Sequence, residues 1–393
     1  MVDEGAKLGA RGKYTLREFA RPGGNFKKLW ISLAFSGVFL VGCGGSLSSL
    51  GNTPPAPDNS AELYFVGNFS GIVSGFSAAS GHLAPVPKSS VVFFINQLDS
   101  AADPDGSFVA AVSSTAAGVS TVQFANVGAG GAMSLAPLST QVTNPGGIAI
   151  SSKGVIAVTD LLNADVQLLM YQNNLLCAGP TVATGSFPQS ATFSADGKIL
   201  YVGNNGDGTI TVISGANTAT PHAVQTATLV HPITEFGAAV VRVRLSNAGD
   251  KLAATTLDGR LYLADVSPLD GTLSGITETE VAQGANLEEV IFDPTGQNVY
   301  TADQDNGGIY GFAVAGTSTA PLPNSPFSTG NLPGGPTGMS FNLTGDRIYV
   351  VMGGQSAVVT FSRDTGSGQI SMTNDIVNSG GFLAGRITGA PSH

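Results

Sequence analysis

The sequence predicts an all-β fold made of repeated antiparallel sheets, and three observations support this prediction. Of the 393 residues, 53 are glycine and only 11% are charged, which indicates many turns around a large apolar core. Short apolar strands with period-2 alternation recur along the chain, whereas no segment keeps a helical period over the roughly ten residues that a helix needs. The strands also recur at a regular interval.

One pattern, a turn with glycine followed by an alternating apolar strand, occurs six times. The copies begin DPDGSFVAAVSS, SSKGVIAVTD, SADGKILYVGNN, SNAGDKLAATTL, DPTGQNVYTADQ and NLTGDRIYVVMG. Their glycines, which we call the anchor glycines, are 43 to 52 residues apart: Gly106, Gly154, Gly197, Gly249, Gly296 and Gly345. A seventh copy starts at Ala61 and lacks the first turn. Four short strands repeated every 40 to 50 residues or so are typical of a β-propeller, so seven copies predict seven four-stranded blades.

The first copy opens on its second strand, so its inner strand must come from elsewhere in the chain. Residues 382–388, FLAGRIT, have the length and alternation of such a strand. We therefore expect the N- and C-terminal strands to pair in one blade and close the ring, which leaves no exposed sheet edge there.

The segment 204–208, NNGDG, has the composition of either an acidic metal-binding loop or a hairpin turn. Asp303 to Gly307 occupies the same place in another copy, between two paired strands, where residues that accept positive φ are needed. The residues that follow, TITV, do not supply the bidentate acid that completes a calcium loop. The pattern predicts a turn, and the four scattered histidines predict no metal site.

Several motifs resemble those of bacterial seven-bladed lactonase-type propellers, the family that includes 6-phosphogluconolactonase-like and YVTN-repeat proteins. They are LYVGN at 200–204, GHLAPVP at 81–87, NSPF at 324–327 and RIYV at 347–350. The resemblance extends from about residue 61 to residue 388. It implies the propeller fold and, through the activity of the family, the opening of a sugar lactone. The motifs themselves specify blades rather than catalytic residues.

The N-terminal segment predicts export. Residues 29–41 are a 13-residue apolar run after Lys27 and Lys28, too short to span a bilayer but suited to a signal peptide. The LVGC sequence ending at Cys43 resembles the bacterial lipoprotein box, which implies cleavage before Cys43 and lipid on its thiol. An ordinary secretory signal with an incidental cysteine is the alternative. Gly44 implies, by the same resemblance, sorting to the outer membrane.

These features divide the chain into three parts: a signal peptide at 1–42, a lipidated cysteine with a Gly/Ser/Pro-rich tether at 43–60, and the propeller at 61–393. Seven of the 17 basic and three of the 27 acidic residues precede Cys43, so the remainder carries a net charge of −14. Such a surface repels nucleic acid and anionic lipid head groups. We expect no nucleic-acid partner, and attachment to a membrane only through the acyl chains.

The inner strands of a propeller line its central channel with alternate side chains. The positions seven and five residues before the anchor glycines face the channel in this register, as does one position of the closing strand. The charged residues at these positions are Asp99, Arg242, Arg244, Glu289 and Arg386. Together they could act on a bound substrate, or they could pair across the channel and serve only the fold.

The loops that enter the inner strands add polar candidates: Asn144, Gln189, His231, Glu235, Asn286 and Glu288. No Gly-x-Ser-x-Gly motif and no phosphate-binding glycine motif occurs, since the glycines fall at turns. Cys177 has no evident catalytic partner and is predicted to be a core residue. We expect no cofactor.

Two functions fit this sequence. The first is an envelope-anchored binding or scaffolding module for a small molecule, a carbohydrate or a protein of the envelope. The second is a hydrolase that opens a sugar lactone, with Glu289 as general base and Arg242 and Arg386 as anion binders. A deep polar funnel ending at Glu289 would favour the hydrolase, whereas a plugged channel with an apolar rim would favour the module.

Overall fold

The computed structural model describes residues 62–79, 81–94, 96–114, 119–172, 174–229, 239–330, 332 and 334–390. These residues form 29 β-strands and two short 3-10 turns, Ala129–Gly131 and Gly353–Gln355. Strands of blades 1 to 4 are β1 (Glu62–Asn68), β2 (Ile72–Ala79), β3 (His82–Val92), β4 (Gln97–Ala102), β5 (Phe108–Ser114), β6 (Ser120–Val127), β7 (Met133–Val142), β8 (Pro145–Ile150), β9 (Val155–Asp160), β10 (Asp165–Gln172), β11 (Leu175–Ala183), β12 (Pro188–Phe193), β13 (Ile199–Asn204), β14 (Thr209–Ser214) and β15 (His222–Thr228).

Strands of blades 5 to 7, with the closing strand last, are β16 (Val240–Leu245), β17 (Lys251–Thr256), β18 (Arg260–Val266), β19 (Leu273–Glu280), β20 (Leu287–Phe292), β21 (Asn298–Asp303), β22 (Gly308–Ala315), β23 (Ser318–Pro321), β24 (Phe327–Ser328), β25 (Pro336–Phe341), β26 (Arg347–Met352), β27 (Ala357–Arg363), β28 (Ile370–Asn378) and β29 (Ala384–Ala390).

The predicted seven-bladed propeller is confirmed. Each blade is an antiparallel sheet of four consecutive strands, except that β29 joins β1–β3 and that two short strands, β23 and β24, share the outer edge of blade 6. The inner strands β4, β8, β12, β16, β20, β25 and β29 contact one another in succession, and β29 contacts β4 in turn. The ring is therefore complete.

The ring closes as expected, with the C-terminal strand β29 supplying the inner strand of blade 1. It pairs antiparallel with β1, so that Ile387 lies opposite Val66 and Gly389 opposite Tyr64. The strand begins two residues later than the sequence predicts, because Leu383 has a φ of 53° and its carbonyl accepts a hydrogen bond from the backbone of Phe69 (3.0 Å). Residues 380–383 thus form the turn that precedes the strand.

The repeated turn has the same geometry in every copy. All six anchor glycines have φ between 69° and 72°, a conformation that only glycine adopts without strain. Each donates its N–H to the carbonyl of the residue three positions earlier, and in five of the six copies the side chain of that residue accepts a hydrogen bond from the first N–H of the next strand. Ser194 Oγ accepts from the N–H of Ile199 (2.9 Å), and Ser246 Oγ from that of Lys251 (3.1 Å). The repeat in the sequence is therefore a repeat of backbone geometry.

Apolar side chains fill the spaces between adjacent blades, and buried tyrosines tie the blades together. The Tyr201 hydroxyl in blade 4 donates to the Gly271 carbonyl in blade 5 (2.9 Å), and Tyr300 in blade 6 donates to Gly368 in blade 7 (2.5 Å). Cys177 lies buried in the cluster shared by blades 3 and 4, as the sequence predicts. Each blade thus depends on its neighbours for its core.

The segment 204–208 is the predicted hairpin turn between β13 and β14. Gly208 has a φ of 63°, and Asp207 Oδ1 accepts hydrogen bonds from the backbone N–H (3.2 Å) and the hydroxyl (2.6 Å) of Thr209. The acid therefore shapes the turn. Across the described ranges, no group of three or more His, Cys, Asp or Glu side chains is arranged to hold a metal ion.

The predicted signal peptide, the lipidated Cys43 and the tether lie outside the described residues, as do His231 and Glu235. Within the part of the chain that the structure describes, no helix has the length and apolar character needed to cross a membrane.

Candidate functional site

Six charged side chains from four inner strands meet in the central channel. Five of them are the residues that the repeat register aims at the channel, and Glu288 is the sixth. We call this group the septum, and its members are Asp99 on β4, Arg242 and Arg244 on β16, Glu288 and Glu289 on β20, and Arg386 on β29. Its three acids balance its three arginines.

Glu289 is the centre of the septum and is 0% exposed. Its Oε2 lies 3.1 Å from Arg244 Nη2 and 3.7 Å from Arg386 Nη1, and its Oε1 lies 3.5 Å from Arg242 Nε. Three guanidinium groups therefore surround one carboxylate. In so buried a place, that charge would be very unfavourable without them.

The outer members hold the septum to the surrounding backbone. Arg386 Nη1 donates to the carbonyls of Glu288 (2.8 Å) and Thr337 (2.9 Å), which links the closing strand to two other inner strands. Asp99 Oδ2 accepts from the N–H of Ile148 on the neighbouring blade (3.2 Å). Asp99 also lies 3.7 Å from Arg386 and 3.8 Å from Arg242. The septum is thus fixed on all sides.

A β-bulge in every inner strand explains how these side chains reach the channel. The register of each inner strand shifts just before the position that points inward, for example between Leu287 and Glu289 and between Gln97 and Asp99. An extra residue at this point breaks the alternation and redirects the next side chain. In β20 the extra residue is Glu288, so two consecutive acids face the channel region instead of one.

Burial changes the acid–base properties of the septum. Loss of solvent raises the pKa of Glu288, an effect that the charge of Arg242 opposes. Loss of solvent also lowers the pKa of Arg244, and the charge of Glu289 opposes that change. Both pKa shifts disfavour the charged form of the side chain, so the septum stays ionised only because its charges pair with one another.

Two cavities meet at the septum from opposite faces of the ring. The wide cavity, about 580 Å³, opens at the face of the anchor turns and is lined by Asp99, Arg242, Arg244 and Arg386 among other residues. The narrow cavity, about 420 Å³, opens at the face where the chain enters the inner strands and is lined by Asp99, Glu288 and Arg386 among others. Glu289 lines neither of these two cavities.

The other predicted site residues are less involved. Asn144 is exposed in a turn, and Gln189 is half-buried in β12, and neither lines these two channel cavities. Asn286 donates to Gln304 Oε1 across the entrance (3.0 Å). The assignment of Gln189 and Glu288 to loops is wrong, because both lie in strands as the extra residue of a bulge.

Four polar, uncharged residues of the narrow cavity were missed by the sequence reasoning: Asn68, Gln97, Gln304 and Thr337. Gln97 and Thr337 lie nine and eight residues before their anchor glycines, just beyond the positions used to locate the channel. Extending the count past the bulge, by one or two residues, would have included Gln97 and Thr337.

A closed ring of seven four-stranded blades around a polar channel defines the protein as a seven-bladed β-propeller. Residues 151–332 match the family model described as "Lactonase, 7-bladed beta-propeller". The matched segment runs from the first turn of blade 3 to the end of blade 6, and it confirms the lactonase-type resemblance of the repeats. No curated protein matches the sequence significantly.

Solved structures support the same fold at low sequence identity. A provisional 6-phosphogluconolactonase from Bacteroides uniformis has a TM-score of 0.70 and 16% identity, covering 84% of this chain and 100% of its own. The periplasmic gluconolactonase PpgL of Pseudomonas aeruginosa has a TM-score of 0.68 and 16% identity, covering 85% and 100%. At this identity the likeness establishes the architecture, while function depends on the site.

Proposed function

We propose that this propeller is a binding module of the bacterial envelope that receives a ligand in its central channel. The enclosure of Glu289 carries the proposal. A general base must come within hydrogen-bond distance of the water that it activates. Glu289 is fully buried, lines neither channel cavity and is surrounded by three arginines. Its charge is used to hold the arginines in place.

The two cavities support a role in recognition. Their volumes, about 580 and 420 Å³, are those of small-molecule sites, and each combines apolar walls with a few charged groups at its inner end. The septum lies between them, so a ligand entering from either face would end its path against charged side chains. This is the plugged channel expected of a binding module.

An apolar rim beside the narrow cavity adds support for a larger partner. Five exposed large apolar side chains lie on three adjoining segments: Phe69, Phe94, Leu98, Phe382 and Leu383. Backbone hydrogen bonds join the segments, from Phe69 N–H to Leu383 (3.0 Å) and from Asn96 N–H to Phe69 (3.1 Å). Exposed apolar groups that are held together in this way favour contact with a protein or with the apolar face of a carbohydrate.

Proton release from a panel of sugar and aliphatic lactones tests the proposal. We expect no turnover above background from the purified protein, together with a rise in melting temperature for some members of a small-molecule library. Turnover that is lost in Glu289→Gln and retained in the exposed control Glu280→Gln would overturn it, provided that circular dichroism shows both variants folded.

Lactone hydrolysis is the second candidate, favoured by the family match over residues 151–332 and by the names of the structural neighbours. In this case Glu289 would take a proton from water as the water oxygen attacks the lactone carbonyl. Arg242 and Arg386 would stabilise the negative oxygen that forms. The ring C–O bond would then break, and the leaving oxygen would take up the proton. Glu289 could act in this way only if Arg244 moved aside.

We also propose that the module is attached to a membrane through lipid on Cys43, with the outer membrane as the expected location. The first described strand starts at the wide-cavity face, where Glu62 Oε1 accepts a hydrogen bond from the N–H of Leu343 (3.2 Å). A tether at 43–60 would therefore attach on that face. Incorporation of labelled palmitate in the bacterial host, lost in Cys43→Ser, is the expected result. Labelling that survives in Cys43→Ser would contradict it.

A further inference from the structure

The septum does not present the same charge to its two cavities. Three arginines and one acid, Asp99, line the wide cavity, which gives that lining a net charge of +2. Two acids and one arginine line the narrow cavity, for a net charge of −1. The septum as a whole is neutral and the whole chain has a net charge of −10, but Glu289 is enclosed and does not line this cavity, so the wide cavity faces the positive side of the septum. A low-dielectric cavity of this kind concentrates anions.

Arg242 is the least satisfied side chain of the septum. It is 3% exposed, yet its Nε and Nη2 find no hydrogen-bond acceptor among the described residues. The nearest carboxylate oxygens lie at 3.5 Å from Nε and 3.8 Å from Nη1. Buried N–H groups of a charged side chain are costly when they lack acceptors, and native proteins rarely leave them so.

Arg363 shows what a satisfied arginine looks like in this protein. It is similarly buried, and each of its three nitrogens donates a hydrogen bond, to Tyr300, Gly345 and Asp293. Arg242 has the same burial without these acceptors. Because Arg242 also lines the wide cavity, a small movement of its guanidinium group would bring these enclosed N–H groups to an acceptor in that cavity.

We propose that the wide cavity binds a small organic carboxylate, whose oxygens accept hydrogen bonds from Arg242 while Arg244 contributes a second positive charge. This inference rests on the proposed binding function and names the ligand class. The planar guanidinium group matches a carboxylate through two parallel hydrogen bonds. Arg244 is 30% exposed at its side chain and keeps Glu289 as its partner, so it can meet a ligand without leaving the septum.

The remaining wall of the wide cavity fits a short, partly apolar body. Ala101, Ala149 and Ile291 supply apolar surface at the level just outside the septum, and Thr192 and Ser340 supply hydroxyl groups. A carboxylate bound at Arg242 would extend along this wall towards the anchor turns. The single negative charge would reduce the +2 of the lining without reversing it.

Calorimetry with benzoate, its neutral amide and inorganic phosphate tests the inference on the full chain. We expect benzoate to bind at least about tenfold more tightly than the amide, since loss of the charge removes a paired hydrogen-bonded contact. Arg244→Gln should weaken benzoate binding about tenfold or more. The matched control is Arg347→Gln, an arginine with 31% side-chain exposure outside the channel, and it should change binding less than about twofold.

Gln304→Ala distinguishes the two cavities, because Gln304 lies outside the septum and lines only the narrow one. Benzoate binding that survives this change and falls in Arg244→Gln supports the wide cavity. Binding lost in Gln304→Ala but retained in Arg244→Gln would place the carboxylate in the narrow cavity and overturn the inference.

Three further results would overturn it while leaving the binding function intact: equal affinity for benzoate and its amide, tighter binding of phosphate than of benzoate, or binding of other library compounds in the channel with no carboxylate bound. Failure of all ligands to bind, with turnover of lactones, would instead reject the proposed function itself.

Discussion

Arg363 and Asp293 form an enclosed ion pair that joins blade 6 to blade 7. Asp293 starts the anchor turn of blade 6, and Arg363 ends β27 in blade 7. Arg363 Nε also donates to the Tyr300 hydroxyl (2.9 Å), and Nη1 donates to the Gly345 carbonyl (3.0 Å). Its guanidinium group lies 5.8 Å from the centre of the Phe341 ring. The pair therefore belongs to the structure between the blades rather than to the channel.

Arg363→Met should lower the free energy of unfolding by about 3–5 kcal/mol, because Asp293 would be left buried without its counter-charge. Urea denaturation followed by circular dichroism measures the change. Lys198→Met, which removes an exposed partner of Asp196, is the control and should cost less than about 1 kcal/mol. Equal effects of the two substitutions would show that the enclosed pair adds no special stability.

Asp103 should make stability depend on pH. Burial raises its pKa from 3.8 to about 6, so its protonated form is favoured in the folded state. The stability that this contributes is fully present below pH 3.8 and is lost as the pH rises through about 6. Three other anchor turns carry serine at this position. Asp103→Ser should therefore flatten the pH dependence of the unfolding midpoint between pH 4 and pH 6, whereas an unchanged slope would contradict the pKa shift.

Alanine substitutions at Gly249 and Gly259 distinguish the cost of backbone strain from the cost of a steric clash. A Cβ at Gly249 would meet nothing within 4 Å, so Gly249→Ala should cost only about 1–2 kcal/mol for its φ of 70°. At Gly259, with a φ of 85°, a Cβ would lie 1.8 Å from the Ala282 carbonyl oxygen. Gly259→Ala should be several times more destabilising in thermal unfolding. Comparable losses at the two sites would mean that the loop after β19 moves freely.

The closing strand should be essential to the ring. Ile387 is buried in the cluster between blades 7 and 1, so Ile387→Ala should lower the free energy of unfolding by about 2–5 kcal/mol. Ile376 is 46% exposed on the outer strand β28, and Ile376→Ala serves as the control. A chain stopped after Leu383 would expose the edge of β1, and we expect it to aggregate in size-exclusion chromatography. A monomeric truncated protein would contradict this role.

Much of the channel could be predicted because the repeat carries its own register. Gly106 and its five counterparts mark one turn, and counting back from them locates Asp99, Arg242, Arg244 and Glu289. The count works because each copy uses the same turn conformation and the same strand length. It failed to place Glu288 and Gln189 in strands, since a β-bulge adds one residue and leaves no clear mark in the sequence.

The sequence by itself determined the number of blades, the closure of the ring and the charged residues that face the axis, because these follow from a strand pattern repeated seven times and from the anchor turn that six of the copies carry. Only the tertiary structure decided which of those charged side chains are enclosed and which face a cavity. Residues about 45 to 290 positions apart meet in the septum, and their spatial order leaves Glu289 enclosed and Arg242 facing the wide cavity. Access and hydrogen bonding depend on which strands become neighbours around the axis, and this information is absent from any single repeat.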